Sequence, residues 1–175
     1  GEDPNILDHY FYSAKRGARQ FEENSAIGWR WFLFNNTAVK RSAIKKTGLF
    51  DEKFTSYGGE DTDMAIRLWH NFPDSLRFSS KINAEHHHKR SLNQFCKQME
   101  TYGQTNLPLL LDRYPEYHKE LAGDWVSTWK GRFLFNALVS NLLRLINIIM
   151  PNIIVTRYLV IYSVICGART AFYHR

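Results

Sequence analysis

Cysteine is scarce in this chain: Cys96 and Cys166 are the only two in 175 residues, and they sit in unrelated contexts. With no C-x-x-C pair, a zinc finger or a disulfide-stapled scaffold is not what organises the fold. Free thiols fit a reducing compartment. The opening Gly1-Glu2-Asp3-Pro4 has neither a basic region nor an apolar core, so it does not read as a secretory signal. It also lacks an initiator Met, and the chain is expected to be part of a larger domain. Neither apolar stretch near the C-terminus offers the clean run of about twenty uncharged residues that a membrane span needs. No internal repeat, low-complexity tract or nucleic-acid-binding motif is visible, so nucleic acid is not an expected partner.

What is present is ordinary in bulk and unusual in detail. Hydrophobic residues make up 44% and charged residues 23%, as in a globular domain with one core. Aromatics reach 15%, and such residues bury large areas and line sugar and lipid sites. Lys and Arg outnumber Asp and Glu by 23 to 17, an excess that favours anionic partners such as acidic headgroups or a nucleotide-linked substrate.

Periodicity sketches the elements. Asp8 to Phe21 has helical spacing at Tyr10, Ala14 and Ala18 within a polar stretch, and residues 1–28 read as an N-terminal arm or linker. Trp29 to Phe34 is dense in aromatics and predicts a buried strand. Arg41 to Lys46 predicts a brief helix closed by Gly48. Glu60 to Phe72 predicts an amphipathic helix through Met64, Ala65, Leu68 and Trp69. Leu76 to Ser79 and Lys81 to Ala84 are expected to be extended. Ser91 and Gln94 form a capping box for a helix that Gly103 is expected to stop. Residues 106–131 read as a helical extension punctuated by Pro108 and Pro115. From residue 132 to the end the chain is mostly apolar, with a polar stripe at Asn136, Ser140, Arg144 and Asn147. That pattern fits helices in a membrane interface, or helices packed on a part of the protein outside this chain or on another subunit.

The chemistry concentrates in Phe50 to Asp63, which packs five carboxylates, two Phe and one Tyr, and a Gly-Gly turn into fourteen residues. Glu60, Asp61 and Asp63 fall in the first turn of the predicted helix. The helix dipole favours ionised carboxylates there, while crowding opposes them. An ionised carboxylate in a cleft can take the proton of an attacking hydroxyl. Gly58 and Gly59 let the backbone turn sharply and a substrate approach closely. Tyr57, Trp31 and Trp29 can stack on a sugar ring, though Trp29 and Trp31 equally suit a core. Asp63 and Arg67 are spaced i, i+4 for an ion pair.

Taken in order, Asn36-Thr37-Ala38-Val39-Lys40-Arg41, Gly48-Leu49-Phe50-Asp51-Glu52-Lys53-Phe54, Tyr57-Gly58-Gly59-Glu60-Asp61-Thr62-Asp63 and Arg67-Leu68 resemble the C-terminal half of GT-A glycosyltransferases. The likeness is greatest to the inverting family-2 group, including chondroitin-polymerase-like bacterial enzymes. The run is also similar to the galactosyltransferase C-terminal motif, where aromatic-Gly-Gly-Glu-Asp forms the acceptor site. The resemblance implies an α/β fold: residues 29–105 would be the acceptor-binding part of a GT-A domain, followed by amphipathic helices.

It also implies roles. Asp61 would be the general base, with Glu60 holding the acceptor or orienting Asp61. Tyr57, Gly58, Gly59, Asp63 and Trp31 would line the acceptor site. His86 or His88 would complete the site of a divalent metal, Mn²⁺ or Mg²⁺, and Lys89 and Arg90 would face the donor diphosphate. Asp61-Thr62-Asp63 matches Asp-x-Asp in letters, but its place at a helix start marks it as the acceptor motif. The donor motif itself is expected outside this chain. The implied partners are a nucleotide-sugar donor (a UDP-sugar above others), a saccharide or lipid-linked acceptor, and a membrane surface met through 132–168. The implied location is cytoplasmic and peripheral, at the inner face of a bacterial membrane. The alternative is a membrane-associated carbohydrate-binding or assembly module without catalysis.

Overall fold

The computed structural model describes residues 6–12, 17–82, 84 and 90–173. Among them eight α-helices occur: α1 (Ile6–Tyr12), α2 (Arg41–Thr47), α3 (Glu60–Asn71), α4 (Leu92–Arg113), α5 (Gly123–Ser127), α6 (Trp129–Leu134), α7 (Ala137–Ile149) and α8 (Ile153–Tyr173). The chain divides into two compact units. A motif unit contains the described residues of 17–54 and 58–84; a helical unit contains α1, Thr55–Tyr57 and the described residues from 90 onward.

In the motif unit the expected strand over Trp29 to Phe34 is replaced by two 3-10 turns, Trp29–Trp31 and Phe34–Asn36. The backbone bonds to itself there, with the Trp31 and Phe32 amides donating to Gly28 and Trp29. Aromatic residues favour strands because they pack on a pleated surface, and no neighbouring strand supplies one among the described residues. Phe32, Phe34 and Phe50 instead meet edge to face, at 5.4 and 5.1 Å between ring centres. The nearest thing to a sheet is one antiparallel bridge, Ala26 to Arg77. Flanking bonds from Asn24 and Ile27 to Phe78 and Leu76 extend it. The described residues therefore form helices and turns, which does not by itself bear out the α/β arrangement that was expected.

α2 ends as its sequence predicts: Gly48, at φ 92, lies in the region glycine favours, and its amide bonds back to Ile44. α3 buries Met64, Ala65 and Leu68 of the face its spacing marks out, together with Ile66, while Trp69 is half-buried.

The helical unit is built on α4 and α8, which pack along each other. Their crossing is backbone on backbone. A Cβ at Gly103 would lie 2.0 Å from the Val164 carbonyl oxygen, and one at Gly167 would lie 2.0 Å from that of Glu100. Gly103 therefore does not stop the helix; its missing side chain admits α8, and α4 runs on through Pro108 to Arg113. The predicted capping box is present, with Ser91 and Gln94 exchanging bonds.

Leu7 and Tyr10 of α1 join Leu92, Phe95, Cys96, Leu159 and Val160 in one apolar cluster. Residues 1–28 were expected to be an arm or linker; of their described part, α1 belongs to this core, while 24–27 bond to 76–78 in the motif unit. Likewise the expected boundary at 105/106 falls inside α4. At its far end α8 sends Arg169 to three carbonyls, those of Trp125, Val126 and Phe135, which ties it to the ends of α5 and α6.

Candidate active site at the head of α3

Two glycines set up the site. Gly58 and Gly59 have φ of 79 and 98, which side-chain-bearing residues rarely adopt, and together they swing the chain into α3. Gly59 is the N-cap, and its carbonyl accepts the Asp63 amide at 2.9 Å. The next three residues, Glu60 to Thr62, are half-buried, so the first turn of α3 is open to solvent only in part.

The three acids at this helix start have different fates. Asp63 is fully buried and pairs with Arg67, Nε to Oδ2 at 2.8 Å. The same guanidinium donates to the Thr47 and Leu49 carbonyls at 3.0 and 2.9 Å. Asp63 and Arg67 thus clamp α3 to the end of α2. The expectation that Asp63 touches the acceptor is corrected, because no surface of its carboxylate is left to offer.

Asp61 is the opposite case. Burial pushes its carboxyl above the ordinary value of 3.8, and a hydrogen bond from the Phe34 amide pulls in the other direction. Desolvation is the larger effect. A raised carboxylate is a stronger base once ionised, which is the property a proton acceptor needs. Glu60 carries a different signal: its Oε2 is buried and has no hydrogen-bond partner. A carboxylate oxygen taken from water without a partner costs free energy, unless a ligand hydroxyl supplies the missing donor. The Phe34 contact escaped the sequence reading. It arises from a 3-10 turn that the aromatic pattern disguised as a strand, so no local signal announced it.

The remaining expected residues are placed as follows. Trp31 is half-buried, edge to face with Phe21 at 5.8 Å, and the Arg30 guanidinium lies 6.0 Å from its ring centre. Trp29 is buried and belongs to the core. Tyr57 and Arg90 lie in the helical unit. There Arg90 sits over the Tyr57 ring at 5.7 Å and over Phe95 at 5.5 Å, and donates to Gln98 at 2.7 Å and to the Tyr57 hydroxyl at 3.3 Å. Ser56, next to Tyr57, is held by Asn106 and Thr105 of α4. His86, His88 and Lys89 lie outside the described residues. Among the described residues no group of three His, Cys, Asp or Glu stands together as a metal site.

Comparison with known proteins bears on the same segment. Residues 28–91 match the family model described as the N-terminal domain of galactosyltransferase. The matched stretch contains the two 3-10 turns, α2, the Gly-Gly turn and α3. It supports a glycosyltransferase family. A Bacillus subtilis (strain 168) protein named uncharacterized glycosyltransferase YfnE is 36% identical over 86 residues, covering 49% of this chain and 21% of that protein. A validoxylamine A glucosyltransferase of Streptomyces hygroscopicus subsp. jinggangensis (strain 5008) is 31% identical over 109 residues, covering 60% of this chain and 24% of its own length. The homologous enzyme of subspecies limoneus matches at 31% as well, with 22% of its length covered. The chain thus spans about a fifth to a quarter of the length of the curated relatives it matches. No solved structure matches the chain.

Proposed function

We propose that this chain carries the acceptor-side carboxylates of an inverting glycosyltransferase of the GT-A, family-2-like type. Asp61 accepts the proton of an acceptor hydroxyl. The hydroxyl oxygen then bonds to the anomeric carbon of a nucleotide-activated sugar, a UDP-sugar above others. The bond from that carbon to the diphosphate breaks, and the diphosphate leaves with the electron pair. Glu60 receives a hydrogen bond from the acceptor through its partnerless Oε2. The acceptor is a saccharide or lipid-linked saccharide. Donor binding and the sheet of a GT-A fold would come from outside this chain, in keeping with the fraction of its relatives that it spans.

The observation that carries this reading is the pairing of a desolvated Asp61 with an unsatisfied Glu60 at one helix start, inside the matched segment. The proposal extends to His86 or His88 as a ligand of Mn²⁺ or Mg²⁺ and to Lys89 near the diphosphate. The proton transfer assigned to Asp61 uses protein groups alone. Arg90 is given no diphosphate role, since it is engaged with Tyr57, Phe95 and Gln98.

The test uses the full-length enzyme, a panel of UDP- and GDP-sugars with Mn²⁺, and nucleotide release as the readout. Asp61→Asn is expected to lower turnover by about 10²- to 10⁴-fold. Turnover close to wild type refutes the assignment.

A further inference from the structure

α7 has its polar face inward. Its polar stripe, Asn136, Ser140, Arg144 and Asn147, is turned to the protein, with Ser140 1% and Asn147 5% exposed. Three of the four have partners there, while the buried Ser140 hydroxyl has none. Asn136 caps the helix by accepting the Val139 amide, Arg144 donates to Asn93 of α4, and Asn147 accepts the Asn152 amide. Four aliphatic residues point the other way: Leu138 is 81% exposed and Ile149 79%, with Leu142 and Leu145 between them at helical spacing, while Leu143 packs against the core. Trp129 and Phe133 of α6, together with Met150 and Ile154, are exposed as well. A row of large apolar side chains this long is more than scattered surface residues, and it marks an interaction site.

Charge identifies the partner. All 17 acidic residues of the chain precede Trp125. The segment 125–175 holds six Lys or Arg and no Asp or Glu, so it carries the whole formal net charge of +6. Lys130, Arg132 and Arg157 are exposed among the apolar residues. Aliphatic side chains with aromatics at one end and cations alongside match a bilayer interface with anionic headgroups.

Length and breaks separate lying on a membrane from crossing one. Trp129–Ile149 is apolar and long enough to span if continuous. It is interrupted at Asn136, which starts a new helix in extended backbone (ψ 165). The thirteen residues of α7 extend about 20 Å, short of a hydrocarbon core of about 30 Å. α8 is long enough, but it is packed along α4.

We propose that the exposed face of α6 and α7 docks in the plane of an anionic lipid bilayer, with α8 remaining in the protein core. The idea stands whether or not the enzyme transfers sugar. The full chain is mixed with vesicles of phosphatidylcholine alone or with added phosphatidylglycerol, and partition is read by sedimentation and tryptophan fluorescence. Binding should require phosphatidylglycerol and weaken with salt. Leu142→Glu with Leu145→Glu should cut partition about tenfold or more while helical circular dichroism is kept. Lys130→Gln with Arg132→Gln, which leaves the apolar face intact, should cut it about fivefold per cation. A chain that stays in the supernatant with anionic vesicles overturns the proposal. So does a chain that self-associates through this face, with Leu142→Glu abolishing the dimer and leaving lipid partition unchanged.

Discussion

Replacing Arg67 with Met tests the clamp that places Asp61. The Met side chain keeps much of the apolar stem and deletes the guanidinium. Asp63 then stays fully buried without its cation, and the Thr47 and Leu49 carbonyls lose their charged donor. Arg67 is 22% exposed and Asp63 0%, so solvent screens this pair weakly and the surface-pair range of about 0–1 kcal/mol does not apply. Removing one partner of a buried pair costs about 3–5 kcal/mol. In a chain of this size each kcal/mol moves the melting midpoint by about 2–4 °C, so the expected fall is roughly 6–20 °C. Urea and thermal unfolding, followed by near-UV circular dichroism, measure it. Adding Asp63→Asn to Arg67→Met should recover much of the loss, because the stranded charge is removed with its partner. A loss under about 1 kcal/mol for Arg67→Met would refute the clamp argument.

Other consequences follow from the same geometry. Burial raises the Asp61 pKa in the folded state, so its contribution to stability is greatest below the ordinary value of 3.8 and declines as pH rises toward the folded value. Asp61→Asn should therefore raise the melting midpoint at pH 7 relative to wild type, with the gain vanishing near about pH 4; a gain that is independent of pH would count against burial as the cause. Activity of the full-length enzyme should rise with pH along a limb set above the ordinary Asp range, and a limb at or below that range in kcat/KM would contradict the base assignment. Gly167→Ala should destabilise the helical unit by about 1–3 kcal/mol or more, since the new Cβ meets the Glu100 carbonyl and the Gln104 amide of α4. Helix propensity alone predicts the opposite sign, a gain of up to about 1 kcal/mol, so a stabilised variant would show that the crossing is looser than described.

Much of the candidate site could be read without coordinates. The Gly58-Gly59 turn, the start of α3 at Glu60 and the buried stripe from Met64 to Leu68 each follow from residues within a few positions of one another. The aromatic run at Trp29 misled because its pattern suits a strand, and a strand depends on a neighbour that the run cannot specify. Gly103 misled for the mirror reason: a glycine that ends a helix and one that admits a second helix look identical in one dimension.

Local chemistry was thus decided by the order of residues alone: the Ser91 and Gln94 cap, the glycine close of α2, and the crowding of three acids at one helix start. Tertiary structure decided the surroundings of each acid. Asp63 was taken into the core by Arg67, Asp61 was half-buried under the Phe34 amide, and Glu60 kept one oxygen without a partner. It also decided that α7 turns its polar stripe inward, where Asn93 and the Asn152 amide wait, and leaves its leucines outside. The physical reason is common to both. Solvation and hydrogen-bond satisfaction depend on groups brought close by folding, and the Phe34 amide beside Asp61 and the Asn93 side chain beside Arg144 lie far from their partners along the chain.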